Sequence, residues 1–300
     1  MNDEQLTRRA FESILDSILS KSYEQYEDFE EQRPEGLAFY GDELADLPLF
    51  DEEDILILMH RDTHFSGSFS AMREYYTNPE ARGVLEEIDP ERIEFLESVQ
   101  TRIKHDLAPL LITGPNAEKV ALAKKTYAEL QEVATKAPTS PEGALALAIL
   151  SEEDIHEILA HLSQQLQTRP ESLLLLAVSE LFNDPLFPGY GTAPIMAIQL
   201  LGQMKYEPAI RSLFSLITRR DFDTESAVLS ALKQIGKPAR QFALSRLASY
   251  PFTADHERAA LVLIEFLPDP EIETLFTSLL GDPRLTNQRL KEYLSIGLEK

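Results

Sequence analysis

Ala197-Ile-Gln-Leu-Leu-Gly202, Ala231-Leu-Lys-Gln-Ile-Gly236 and Leu267-Pro-Asp-Pro-Glu-Ile272 belong to one pattern, carried by the stretch 192–283. Its anchors Leu201, Ile235 and Leu267 stand 34 and 32 residues apart. Three positions before them come Ile198, Leu232 and Ile264, four before come Ala197, Ala231 and Leu263, and eight before come Ala193, Ala227 and Ala259. Those offsets draw one apolar stripe down one face of a helix. The small alanines of the first column let neighbouring helices approach closely. A second helix follows each anchor and opens at Pro208, Pro238 or Pro270. Proline suits a first helical turn, where its missing N–H costs nothing. Beyond each proline the columns Leu213/Ala243/Leu275, Phe214/Leu244/Phe276 and Ile217/Leu247/Leu279 recur. The stretch is therefore expected to be three helical hairpins. One hairpin alone buries too little to offset the ordering of its chain, so copies stack to bury their second sides.

On these three fragments and columns the chain resembles the HEAT-repeat family, in particular the short bacterial repeats also found in phycobilisome lyases. The resemblance implies an all-α fold: a right-handed α-solenoid of HEAT-like hairpins with an N-terminal helical region. It says little about function, because HEAT proteins range from scaffolds to enzymes. The tetratricopeptide pattern is missing, since the chain has no Trp, and so is the ankyrin Thr-Pro-Leu-His signature.

Composition narrows the function classes. The absence of Cys removes disulfides and thiolate metal sites and suits a reducing compartment. The start, Met-Asn-Asp-Glu-Gln, has no basic or apolar segment of a secretory signal. No apolar run approaches the ~18 residues that span a membrane. A cytoplasmic protein without a membrane span is the expectation. A net charge of −23 repels phosphate backbones and disfavours nucleic acid as a partner. The charge is uneven. Residues 1–60 hold 17 acids and 4 bases, whereas 205–246 hold 8 bases and 4 acids. These are either solvated faces or an acidic head that meets a basic repeat face, within or between chains.

In chain order, 3–31 reads as an acidic amphipathic helix and 34–50 as a punctuated loop. Asp51-Glu-Glu-Asp54 before Ile55 suits a helix N-terminus. Ser66-Gly67 suggests that helix's end. Ser68–Thr77 reads as a short helix stopped at Asn78-Pro79, and 79–87 as a turn or short helix. Asp89 caps a helix opened by Pro90, with Ile93, Leu96, Val99, Ile103 and Leu107 in its stripe. Pro115–Ala137 is a long helix, and Ala137–Gly143 is the candidate linker. The expected domains are thus 1–137 (acidic and helical) and 144–300 (repeats). Residues 152–183 resemble a degenerate first hairpin, and 287–300 a terminal capping helix.

Several residue sets invite chemistry. His60 and His64, four apart, suit a shared metal on one helical face. The metalloprotease pattern needs Glu beside the first His, and Arg61 stands there. The fragment Gly114–Lys119 lacks the Gly and Ser/Thr of a phosphate loop. Deoxyhypusine hydroxylase, a HEAT-type enzyme, is similar in one respect. Its His-Glu dipeptides hold two irons, and this chain offers His156-Glu157 and His256-Glu257 where that family uses four pairs. No nucleophile elbow or dinucleotide fingerprint occurs. The irregular loop 184–194 carries Phe187 and Tyr190, either as recognition residues or as a plug between repeats.

The expectation that follows is a non-enzymatic scaffold or adaptor with no cofactor. It takes an acidic protein partner on the second helices through Arg211, Arg219, Arg220, Arg240 and Arg246, with Phe187 and Tyr190 in the loop. Self-association through the acidic N-terminal region, as a structural assembly, is one alternative. A metal-dependent enzyme built on the histidine sets above is the other.

Overall fold

Asp51 opens the first described helix of the computed structural model, which describes residues 49–78, 88–138, 140–150, 170–217 and 221–299. The readings made for 3–31, 34–48, 79–87 and 152–167 lie outside the described residues. Among the described residues the fold is all-α, with fourteen α-helices, two short 3-10 turns and no strand. They divide into two compact units. The first holds 49–150 and also Glu180–Thr192, and the second holds 170–179 and 193–299.

In the first unit, α1 (Glu52–His64) starts with a reciprocal cap. The Asp51 carboxylate accepts from the Asp54 N–H at 3.1 Å, and Asp54 accepts from the Asp51 N–H at 3.0 Å. Two orphan donors are satisfied at once, and the acids of the first turn face the positive end of the helix dipole. Phe65 closes α1, and the left-handed Ser66 and Gly67 turn the chain into α2 (Phe69–Thr77), capped by Ser68. Helix α3 (Pro90–Ile103) is capped by Asp89 and buries Ile93, Leu96, Val99 and Ile103. Leu107 is buried too, but it lies past the helix, at the head of the short α4 (Ala108–Leu111).

Helix α5 (Gly114–Lys136) then packs along α6 (Pro141–Leu150). The segment between them, expected as a linker, is a hairpin turn inside this unit. Gly143 permits it: a Cβ there would lie 1.8 Å from the Ala137 carbonyl oxygen. The core of the unit runs from Ile57, Leu58 and Met72 through Leu96 to Ala123. It also takes in Leu186 and Phe187 from the returning segment.

The second unit contains α7 (Pro170–Val178), α8 (Ala193–Gln203), α9 (Ile210–Leu216), α10 (Phe222–Ile235), α11 (Lys237–Leu247), α12 (Ala254–Ile264), α13 (Pro270–Leu280) and α14 (Gln288–Glu299). Prolines open the second helices as expected. Pro208 sits in the 3-10 turn before α9, Pro238 lies in the first turn of α11, and Pro270 starts α13. Helix α7 packs on α8, the first helices follow in order, α8 on α10 and α10 on α12, and the terminal helix α14 packs on α12. The matched columns are buried, apart from the half-buried Leu244, Leu267 and Leu275. Leu267 lies beyond the end of α12, so the third anchor belongs to the loop.

Helices α8 and α10 meet backbone to backbone. A Cβ on Gly202 would stand 2.7 Å from the Ala231 Cα, so only glycine fits there. Between second helices, Phe214 and Phe242 meet edge to face at 5.2 Å. Charges bridge neighbouring hairpins: Lys233 to Glu265 at 3.5 Å, and Arg240 to Asp269 and Glu271 at 2.8 and 2.7 Å. Helix α14 buries Leu290 and Leu294 against α12 and α13 and leaves Leu298 exposed.

Candidate functional site

The last turn of α1 brings His60 and His64 into one corner of the first unit, with ring centroids 5.2 Å apart. Helix α5 supplies Tyr127, edge-on to His64 at 5.4 Å. The returning segment supplies Tyr190, tilted over His64 at 4.8 Å. Three successive positive φ angles, at Gly189, Tyr190 and Gly191, shape the backbone that carries that tyrosine. Non-glycine residues adopt this region at a cost, so the segment is shaped by what it packs on. Lys119 of α5 forms an ion pair with Asp184 beside the histidines. The other Asp184 oxygen accepts from the Leu186 N–H at 3.0 Å.

Burial decides the charge of this corner. It pushes His60 down to about 4, with Asp184 opposing and Lys119 adding to the shift. It pushes His64 down to about 3, helped by His60 and opposed by the Pro185 backbone. Among the described residues, no hydrogen bond of ordinary geometry reaches either buried ring nitrogen of His64. Both rings are therefore neutral at pH 7, in an apolar and aromatic setting that disfavours the imidazolium. Among the described residues, no group of three or more His, Asp or Glu side chains is placed to share a metal ion.

Arg61, between the two histidines, faces elsewhere and is fully buried. It donates to Gln100 at 2.8 Å, Asp62 at 2.6 Å and Asp106 at 2.7 Å, and it covers the Phe69 ring at 4.5 Å. Two turns earlier, the buried Asp54 accepts two 2.6 Å hydrogen bonds from Arg92 of α3. These bonds raise the Arg92 pKa. Sequence reading missed both pairs. A signal existed, because Asp54, Ile57, Leu58 and Arg61 share one helical face at spacings of three and four.

His256 has a different task. Its Nδ1 accepts from the Thr253 N–H at 3.0 Å, closing the cap of α12. Its Nε2 lies 2.8 Å from the Ser249 carbonyl, which fixes the tautomer with the proton on Nε2. Both ring nitrogens are thus engaged in holding the chain. Glu257 accepts from Asn287 at 2.7 Å at the start of α14. His156 and Glu157 lie outside the described residues.

The expected partner-binding residues fall into two groups. Arg211 is exposed on α9, and Arg246 is exposed on α11, over the Phe242 ring at 5.1 Å. Arg240 is turned into its carboxylate clamp, where the hydrogen bonds it donates to Asp269 and then to Glu271 raise its pKa. Arg219 and Arg220 lie outside the described residues. Phe187 is 0% exposed and belongs to the core of the first unit, not to a surface. Tyr190 is half-buried on His64.

Comparison with family models, curated proteins and solved structures finds no match for the chain. The geometry alone therefore carries the functional reading.

Proposed function

We propose that this chain is a non-enzymatic protein-binding scaffold whose second unit is a short, right-handed HEAT-like α-solenoid. The observation that carries this reading is the order of packing. First helix lies on first helix through matched columns, and the second helices keep one side in solvent. A stack of this kind presents an extended surface to a partner. On that surface Arg211, Lys237 and Arg246 are exposed and stand outside the ion-pair ladder that occupies Lys233 and Arg240. An acidic protein segment is the partner that such a surface attracts, and its on-rate falls as salt rises. A cytoplasmic setting is part of the reading and rests on the cysteine-free composition.

The test is a triple charge reversal, Arg211→Glu with Lys237→Glu and Arg246→Glu, compared with the native chain. Partners are crosslinked in the source cells and quantified. Loss of one acidic partner by tenfold or more, with unchanged helicity and hydrogen exchange, supports the surface. Equal recovery of every partner by both chains removes it.

A further inference from the structure

The segment 184–192 stands apart from its neighbours in the chain. The helices on either side of it, α7 and α8, belong to the second unit, while the segment itself belongs to the first. It is held there by three kinds of anchor. Leu186 and Phe187 enter the core, Asp184 pairs with Lys119, and Tyr190 lies on His64. Its own amides close short turns, from Phe187 to the Asp184 carbonyl, from Tyr190 to Phe187 and from Thr192 to Gly189. Turns this short protect no amide once the anchors let go. The segment is a strap.

Under the strap lie the buried His60 and the half-buried His64, on one helical turn. Around them, α5 presents Lys119 and Tyr127, and the strap presents Asp184 and Tyr190. Asp62 of α1 is engaged by Arg61, with Lys124 of α5 at 3.7 Å. Arg92 of α3 is engaged by Asp54, and Asp106, just before α4, by Arg61. Helix α4 itself (Ala108-Pro-Leu-Leu111) has no titratable side chain. Asp184, which opposes the lowering at His60, is already paired with Lys119. Among the described residues, a second proton on either ring would have no carboxylate of its own.

We propose that the His60–His64 pair makes the 184–192 strap an acid-released latch on the first unit. At neutral pH both rings are uncharged and Tyr190 closes over them. When the strap is out, each imidazole is hydrated and binds a proton near its ordinary 6.5. When it is in, burial holds them to about 4 and about 3. Because the closed-state values are depressed, strap closure is strongest above pH 6.5 and weakens as pH falls from 6.5 towards 4. Proton linkage with such values shifts closure by roughly 20-fold per histidine between pH 7 and pH 5. Leu186 and Phe187 oppose release, so the latch is graded and the unit beneath it stays folded.

The experiment is hydrogen exchange on the full chain at pH 7 and pH 5, with times scaled for intrinsic chemistry. The native chain is compared with the double variant His60→Gln, His64→Phe. The expected result is at least tenfold loss of protection at 186–192 in the native chain, with α5 and α6 unchanged. In the double variant the strap's protection is the same at both pH values. An unresponsive strap in the native chain overturns the proposal. So does an equal response in the variant, or a loss spread evenly over the first unit. Should the variant not fold, imidazole titration of the native chain by NMR decides. Apparent values well below 6 that move together with the Tyr190 ring signals support the latch, and values near 6.5 with an undisturbed Tyr190 refute it.

Discussion

The two units solve the same packing problem with different materials. The second is held by repeated apolar columns, by glycine and alanine where helices touch, and by ion pairs at the seams between hairpins. The first is held around charges and rings used once: Arg61 among Gln100, Asp62 and Asp106, Asp54 under Arg92, and His64 between Tyr127 and Tyr190. A periodic architecture spreads its stability over many equivalent contacts. A singular one concentrates it in a few residues whose partners cannot be exchanged. Mutational cost should therefore be steep and local in the first unit, and shallower and graded by distance in the second.

Arg61→Met gives the largest expected effect. Arg61 has 0% side-chain exposure and joins α1 to α3 and to the turn before α4. The thioether fills much of the space but donates nothing, leaving Asp62 and the Gln100 carbonyl short of a partner. Breaking one side of a buried ionic network costs about 3–5 kcal/mol. Asp106 is half-exposed and can turn to water, so a loss near 3 kcal/mol is expected. Denaturant titration followed by hydrogen exchange should place that loss in α1, α3 and α4, while α10 and α12 keep their protection. A loss under 1 kcal/mol would erase the contrast between the units.

Gly297→Ala probes the other side of the comparison. A Cβ there would stand 2.5 Å from the Phe276 ring and 3.3 Å from the Ile264 side chain, and Phe276 is fully buried. Alanine gains about 0.5–1 kcal/mol of helix propensity over glycine. Overpacking a closed core costs about 1–3 kcal/mol, so the clash wins. If the second unit is the proposed nearest-neighbour stack, the damage should be greatest in α13 and α14, smaller in α12 and absent in α8. Uniform loss across the unit would mean that it melts as one block, and the distinction between graded and concentrated stability would fail.

What the sequence revealed follows the same division. Period and punctuation made α8 to α14 readable, through alanine columns and a proline at each second helix, and Asp51-Glu-Glu-Asp54 and Asp89-Pro90 marked the starts of α1 and α3. The same cues hid other things. A Pro, Ser and Gly cluster at 137–143 has the composition of a linker, and only the nearness of Gly143 to the Ala137 carbonyl makes it a hairpin turn. Asp54 and Arg61 look like ordinary polar positions unless each is matched with a cation or carboxylate far along the chain. The loop at 184–192 is recognisable as a loop, but its destination beside residues 60–64 and 127 has no local signal. The basic stretch at 205–246 was visible as charge. That Lys233 and Arg240 spend theirs on acids further along the chain is a property of the folded packing, not of composition.

The smallest effect is expected at that seam, and it separates the charge of the ladder from its geometry. Asp269 caps α13 and accepts both arms of Arg240, at 3.0 and 2.8 Å. Those bonds hold its carboxyl below the ordinary value against the pull of burial, and the Ile272 and Glu271 N–H groups add to the lowering. Asp269→Asn keeps a good helix cap, since asparagine serves there as well as aspartate. What it removes is the anion. The pair is only partly exposed and two-armed, so a loss of about 1 kcal/mol at pH 7 is expected, the upper end for a surface pair. The sign with pH follows from the lowered value. The aspartate contribution is complete above pH 4 and disappears as pH falls through the depressed pKa, whereas the asparagine variant has no such titration. Native and variant stabilities should therefore differ at pH 7 and converge below pH 4. A gap that persists undiminished into strong acid would show that the side-chain fit, and not the charge, joins these two hairpins.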